Sequence, residues 1–413
     1  MKRRIFMIAQ SPKLKICMTH YAFYPTTGGV ESHLLDLCKG LVKQGHEVFV
    51  LVGPYKERPE FEVLEGLKIF RNKLMDPEWI RDEKGKKGLA ADEEDKEIID
   101  AIRKMYEEFI AEHKIDVMHG HNFHHFVPEH ALALSELWEK GMPNILTVHE
   151  VWSEFICEDL LKRAKWDAVI TFCKHVTEGI KEQAPHLENI EVIYPGIDVK
   201  LFSQENVNSK WSDKLGLKGR PVIIHPARML PWKGVIYSVK AMQLVLKKVP
   251  DALLIITDTE DIVDWIRELQ GYKDEVLQLI QSLGLSKNII TQPFPYMELP
   301  WVYNSCDVVI YPTIGEEPFG LVPVEAMACA KPTVVTPSGG MKESVVGDET
   351  GFFVEKRNTQ QLADRIILLL QDKKKAGEMG RKGRERAVEV FSLERMTSDT
   401  VKVYENAIKK HRS

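Results

Sequence analysis

Glu317 and Glu325 lie eight residues apart in Gly315-Glu316-Glu317-Pro318-Phe319-Gly320-Leu321-Val322-Pro323-Val324-Glu325-Ala326-Met327-Ala328-Cys329-Ala330. Residues 307–312 read as a buried strand ended by a proline, 315–320 as a loop and 321–330 as a helix. A strand, loop and helix start of this kind aims N–H groups and the positive end of a helix dipole at an anion. Gly320 lets backbone amides approach, and Pro323 suits a first helical turn. Glu317 would lie beside whatever the anion carries. Glu325, about one turn into the helix, could accept hydrogen bonds from a diol. A second pair is cationic. Arg228 and Lys233 sit in His225-Pro226-Ala227-Arg228-Met229-Leu230-Pro231-Trp232-Lys233-Gly234, after an expected strand and at the start of a helix expected over 233–246. Two cations at the carboxyl end of a strand suit a diphosphate. His149, in Thr147-Val148-His149-Glu150, stands just beyond another expected strand. His119, His121, His124, His125 and His130 have a spacing metal ligands can have, but no Cys or well-spaced carboxylate completes the set, so no metal is expected.

The run Glu-Pro-Phe-Gly-Leu followed by Glu-Ala-Met-Ala resembles the E-x7-E signature of the retaining glycosyltransferases of family 4. Arg228 and Lys233 are similar to that family's R-x4-K pair. Thr26-Thr27-Gly28-Gly29-Val30-Glu31 resembles its glycine-rich loop, and His149-Glu150 its His-Asp or His-Glu pair. The resemblance runs from about residue 14 to 411. It implies an α/β protein of GT-B architecture, two doubly wound Rossmann-like domains facing a central cleft. It also implies a metal-independent retaining hexosyltransferase, moving a hexose from a UDP-, ADP- or GDP-sugar to a hydroxyl acceptor. Arg228 and Lys233 would neutralise the leaving diphosphate. Glu317 and His149 would act at the donor sugar, and Glu325 at the ribose. Gly28, Gly29, Phe319, Gly320 and Leu321 would line the nucleotide sugar, with Tyr296 near the base. His121 and Trp152 are acceptor-side candidates. No cofactor is implied beyond the nucleotide sugar as co-substrate. The chain has no Asp-x-Asp with which to hold a metal on the diphosphate. A nucleotide-sugar epimerase or a phosphorylase on the same fold, or a non-catalytic nucleotide-sugar-binding subunit, are the other readings.

These residues need parallel sheets to position them. Strands are expected at 14–19, 47–52, 67–71, 115–119, 144–148, 168–172 and 190–194, interleaved with helices such as 97–113. After Pro195-Gly196-Ile197-Asp198 the pattern restarts, with strands at 221–226, 252–257, 288–291, 308–311 and 333–335. Strands alternating with helices imply parallel sheets covered on both faces. The expected domains are 1–205, for the acceptor, and 206–391, for the nucleotide sugar. A last helix, 392–413, crosses back to the first domain in the family that the chain resembles. The highly charged residues 76–96 read as a solvated loop or an acceptor-side lid.

The bulk properties narrow the classes. With 413 residues, 44% hydrophobic and 28% charged, the chain reads as a globular protein of two or three domains. A net charge of −5 gives no footprint for nucleic acid. Six scattered cysteines without a C-x-x-C suit a reduced, cytoplasmic compartment. The apolar run at residues 5–9 is short for a secretory leader, and no stretch reaches the length of a membrane span. Peripheral membrane association would follow only if the acceptor were a lipid.

Overall fold

The computed structural model describes residues 13–26, 28–151, 155–258 and 268–412, so the reading of residues 1–12 lies outside it. Two compact units are present. One comprises residues 13–171, 177–193 and 397–412, and the other residues 172–176 and 194–396. Both are α/β with Rossmann-like parallel sheets.

The first unit holds strands β1 (Lys15–Thr19), β2 (Glu47–Val52), β3 (Phe61–Leu64), β4 (Leu67–Arg71), β5 (Val117–His121), β6 (Asn144–Val148), β7 (Ala168–Thr171) and β8 (Ile190–Val192). Their order is β3-β4-β2-β1-β5-β6-β7-β8, all parallel except the edge strand β3. The second unit holds β9 (Val222–His225), β10 (Leu253–Asp258), β11 (Ile289–Pro293), β12 (Val308–Tyr311), β13 (Thr333–Val335) and β14 (Gly351–Phe353). Their order is β11-β10-β9-β12-β13-β14. In both sheets the chain winds outward from the first strand and then returns to its other side. The order therefore reverses between β1 and β5, and between β9 and β12. The crevice at the carboxyl ends of the strands flanking such a reversal is where doubly wound sheets bind ligands.

The central strands are legible because they are covered on both faces. β6, β9 and β12 are buried at every position and read as largely apolar runs. Helices show the other period. Gly29–Lys43 buries His33, Leu34, Leu37, Cys38 and Leu41 along one stripe. Leu393–Arg412 closes the chain, and its residues from 397 onward belong to the first unit. There Tyr404 is buried and His411 meets the Asp167 carboxylate at 2.9 Å. Among the described residues, no helix is long and apolar enough to cross a membrane.

Three expectations need correction. Residues 76–96 are not a solvated loop. They contain the helix Pro77–Lys86, capped by Asp76, whose side chain accepts from the Glu78 amide at 3.0 Å. Lys84 on that helix is wholly buried, 2.7 Å from the equally buried Glu129, and also donates to the Ala91 carbonyl at 2.9 Å. Asp95 caps the next helix, Lys96–His113, and pairs with Lys87 at 2.7 Å. Charge content suggested solvation, but part of this charge is paired inward. β5 begins and ends two residues later than expected, which places His121 inside the strand along with His119. Finally, Lys233 closes a short 3-10 turn, Pro231–Lys233, and the helix proper is Val235–Leu246.

Candidate active site

The strand reversal of the second unit brings the expected cations and carboxylates together. β9 delivers the loop with Arg228 and Lys233, and β12 the loop with Thr313 and Glu317. Lys233 Nζ donates to Glu317 Oε1 at 2.6 Å and to the Tyr311 hydroxyl at 2.8 Å. Tyr311 in turn donates to Glu317 Oε1 at 3.2 Å, and the Thr313 hydroxyl lies 3.4 Å from the same oxygen. One carboxylate oxygen thus collects three donors, 9% of the Glu317 side chain being exposed. Burial, then the Glu317 charge, pushes the Tyr311 phenol well above its ordinary range, with the Arg228 charge pulling the other way. Arg228 itself is exposed, and its side chain has no hydrogen bond or ion pair among the described residues.

Two glycines make this approach possible. Gly234 has φ 77°, and a Cβ there would collide with the Pro312 carbonyl oxygen. Gly339 has φ 45°, and a Cβ there would strike the Glu317 carbonyl. Around it, the Ser338 hydroxyl accepts from the Glu317 amide at 3.2 Å, and Gly340 N donates to the Glu317 carbonyl at 3.1 Å. The Thr336-Pro337-Ser338-Gly339-Gly340 turn therefore clamps the Glu317 backbone. Sequence reasoning passed over it, as it did Tyr311 and Thr313. The signal in the chain was Ser-Gly-Gly, separated from β13 only by Thr336 and Pro337.

Glu325 is buried on the helix Leu321–Ala328 and accepts from the Tyr303 hydroxyl at 2.8 Å. Burial and the Glu325 charge push Tyr303 well above the ordinary phenol range. Gly320 caps this helix at φ 80°, with Leu321 as its first residue. The Phe319 side chain is 3% exposed and packs against Tyr194 and Phe391, ring centroids 5.7 and 5.6 Å away. Its ring is committed to that packing. Tyr296 is 46% exposed, its ring 5.5 Å from Phe202.

In the first unit the reversal between β1 and β5 gathers histidines. His20 follows β1, His121 ends β5, and His149 follows β6. His33 joins them from the helix Gly29–Lys43. His121 Nδ1 lies 3.0 Å from His149 Nε2, and the His149 amide donates to Asn122 Oδ1 at 2.9 Å. His20 Nδ1 donates to the His121 carbonyl at 2.9 Å. His119 is structural. Its ring nitrogens bond Tyr404 and Thr147 at 2.6 and 2.7 Å. Burial lowers His20 to about 4 and His33 and His119 to about 3, and sends His121 and His149 well below the imidazole range. All five are neutral at pH 7. His130 bonds Tyr106 and the Leu74 carbonyl, and His124 the Glu150 carbonyl, so the spacing read as possible metal ligation is divided among separate roles. Sequence reasoning missed His20 and His33. His33 carried a signal, being a polar residue on the apolar stripe of its helix.

Gly28 and Gly29 are exposed at the start of that helix. The Glu31 carboxyl accepts from its own backbone amide there, and burial raises its pKa. Trp152 lies outside the described residues.

Two family models match the chain. Glycosyltransferase Family 4 matches residues 27–201, and Glycosyl transferases group 1 matches residues 207–386. An uncharacterized glycosyltransferase of Methanocaldococcus jannaschii is 25% identical over 96% of this chain and 99% of its own. D-inositol 3-phosphate glycosyltransferase of Paenarthrobacter aurescens is 29% identical over 71% of this chain and 74% of its own. Among solved structures, a glycosyltransferase from Rickettsia africae superposes with a TM-score of 0.76 over 97% of this chain and all of that one, at 21% identity. The Anabaena protein HepE, solved with UDP and glucose, gives 0.72 over 95% and 99%, at 20% identity.

Proposed function

The chain belongs to the family 4 glycosyltransferases, of GT-B fold, and on that premise we propose that it is a retaining, metal-independent hexosyltransferase. The donor is a nucleotide-diphosphate sugar carrying UDP, ADP or GDP, and the acceptor a hydroxyl compound. The observation that carries this reading is the meeting of Lys233 and Glu317, 84 residues apart, at 2.6 Å at the strand reversal of the second unit. Solved relatives of the same fold bind UDP, as HepE does.

The chemistry follows from the charges. The bond between the anomeric carbon and the diphosphate oxygen breaks, and negative charge grows on the departing diphosphate. Arg228 and Lys233 stabilise that charge, more in the transition state than in the bound donor. The acceptor oxygen bonds to the anomeric carbon on the same face, and its proton passes to the departing phosphate oxygen. No protein nucleophile enters this scheme. Glu317 orients Lys233 and faces the sugar, and Glu325 holds the ribose diol. His149 is assigned to the donor sugar, the Gly28-Gly29 amides to its phosphate, and His121 to the acceptor.

The test is stoichiometric. The purified protein, supplied with a panel of UDP-, ADP- and GDP-hexoses and candidate acceptors, is expected to release nucleoside diphosphate in step with glycoside, with the anomeric configuration of the donor kept. EDTA is expected to leave turnover almost intact. Inversion at the anomeric carbon, or a loss with EDTA that magnesium or manganese restores, would overturn the mechanism. Interconversion of donor sugars without acceptor would favour an epimerase.

A further inference from the structure

His33, His121 and His149 come from a helix, a strand end and a post-strand turn, yet one ligand atom from each lies within 4.8 Å of the other two. His121 Nδ1 and His149 Nε2 are already 3.0 Å apart. Ring centroids are 5.2 Å apart for His33 and His149, 5.3 Å for His121 and His149, and 6.0 Å for His33 and His121. Three imidazoles on one tetrahedral cation, with metal–nitrogen bonds of about 2 Å, place their ring centroids about 5 Å apart. The arrangement therefore needs small side-chain rotations and no backbone rearrangement to close on an ion.

The hydrogen-bond accounting of His121 points the same way. A neutral imidazole has one donor and one acceptor. Nδ1 faces His149, but Nε2 is buried without a hydrogen-bond partner among the described residues. Buried polar atoms of this kind call for an explanation, and an ion held at Nε2, with Nδ1 kept on His149, is one. The neighbours restrain the ring. His119 stacks on His121 at 4.3 Å, and His20 holds the His121 carbonyl.

We propose that His33, His121 and His149 form a facial three-histidine site for one borderline divalent cation such as Zn2+, and that its occupancy blocks sugar transfer. An all-imidazole set selects zinc, cobalt, nickel or copper over magnesium and calcium, which prefer oxygen. Three protein ligands leave a fourth position for water or an anion. Binding exchanges hydration water for nitrogen ligands. The block rests on the assignment of His149 to the donor sugar, since one imidazole cannot ligate a cation and contact a hexose together. The binding itself does not depend on that assignment.

The test uses the full chain, stripped with EDTA and desalted, titrated with Co2+ and with Zn2+. One equivalent of Co2+ is expected to produce the visible bands of a four-coordinate ion, and zinc to bleach them. His33→Gln is expected to weaken binding at least about 100-fold, beyond the usual loss for an outer-shell partner. Zinc that saturates the wild type is expected to abolish nucleotide release, EDTA to restore it, and the turnover retained by His33→Gln to be zinc-insensitive. Absence of cobalt bands and of calorimetric zinc binding in the wild type overturns the proposal while leaving the transferase reading to its own assay. Undiminished binding in His33→Gln places the cation elsewhere and overturns it too. If His33→Gln does not fold, His121→Gln is read in the same way for metal binding, by cobalt bands and calorimetry. Binding without inhibition refutes the blocking role and the sugar contact of His149, but keeps the site.

Discussion

At the scale of single residues, the two cations of the second unit have different surroundings and should fail differently. Arg228 is exposed and without an ion pair among the described residues. Arg228→Ala should lower the maximal rate by about 10²–10³, roughly 3–4 kcal/mol, with little change in melting temperature. Lys233→Ala should cost a similar factor in rate and also lower the melting temperature, because it leaves the Glu317 carboxylate, 9% exposed, without its ammonium. Saturating donor with near-normal rates in both variants would remove the phosphate clamp from the mechanism. Glu325 has two demands on it. Glu325→Ala should weaken nucleotide binding about 10- to 150-fold, and should also orphan the buried Tyr303 hydroxyl that it accepts at 2.8 Å. Tyr303→Phe separates the two, since it removes the hydroxyl and keeps the carboxylate. Calorimetry should find nucleotide affinity nearly intact in Tyr303→Phe. Unchanged affinity in Glu325→Ala would mean that the glutamate does not hold the nucleotide.

At the scale of elements, the helix Pro77–Lys86 is anchored by a buried ion pair. Lys84 and Glu129 are both wholly buried, 2.7 Å apart. Burial raises the Glu129 pKa even with the ammonium beside it. Lys84→Met should therefore destabilise the protein by about 3–5 kcal/mol, while Lys84→Met with Glu129→Leu should recover most of that loss. The sign of the pH effect is fixed. Without Lys84 the folded state holds a proton on Glu129 more tightly than the unfolded chain does, so the difference from wild type should shrink as pH falls. Denaturant titrations of both variants at two pH values would show it. A single variant as stable as the wild type would mean that the helix is held by its apolar contacts alone. The same helix explains why residues 76–96 misled the sequence reading. Its partner, Glu129, lies 45 positions away, and nothing local marks Lys84 as the lysine that turns inward.

At the scale of the molecule, neutral buried histidines set the acid limit of stability. His130 in the first unit and His225 in the second are both buried, and burial lowers each from 6.5 to about 3. The unfolded chain binds a proton at each below about 6.5 while the folded one does not, so stability is lost as pH falls from there toward 3. Each should contribute about 1.4 kcal/mol of loss between about pH 7.5 and 5.5. Metal-free chemical denaturation across that interval should show the decline. Equal stability at both ends would mean that these rings are already charged or exposed in the folded state.

Twelve of the fourteen described strands (all but β3 and β14), the two winding sheets and the placement of Glu317 and Arg228 in loops were legible in the chain because they depend on neighbours. A buried parallel strand is a largely apolar run, and β2, β6, β12 and β13 fall where such runs stand. The family motif is contiguous, so it survives without knowledge of the fold. Sheet order and register decided the rest. They set Lys233 on Glu317 across 84 residues, Lys84 on Glu129 across 45, and Tyr303 on Glu325 across 22. They also drew His33, His121 and His149 to one point. A hydrophobic period reports which face a residue occupies, but an ion pair or a ligand set depends on which distant strand ends become neighbours, and only the folded chain specifies that.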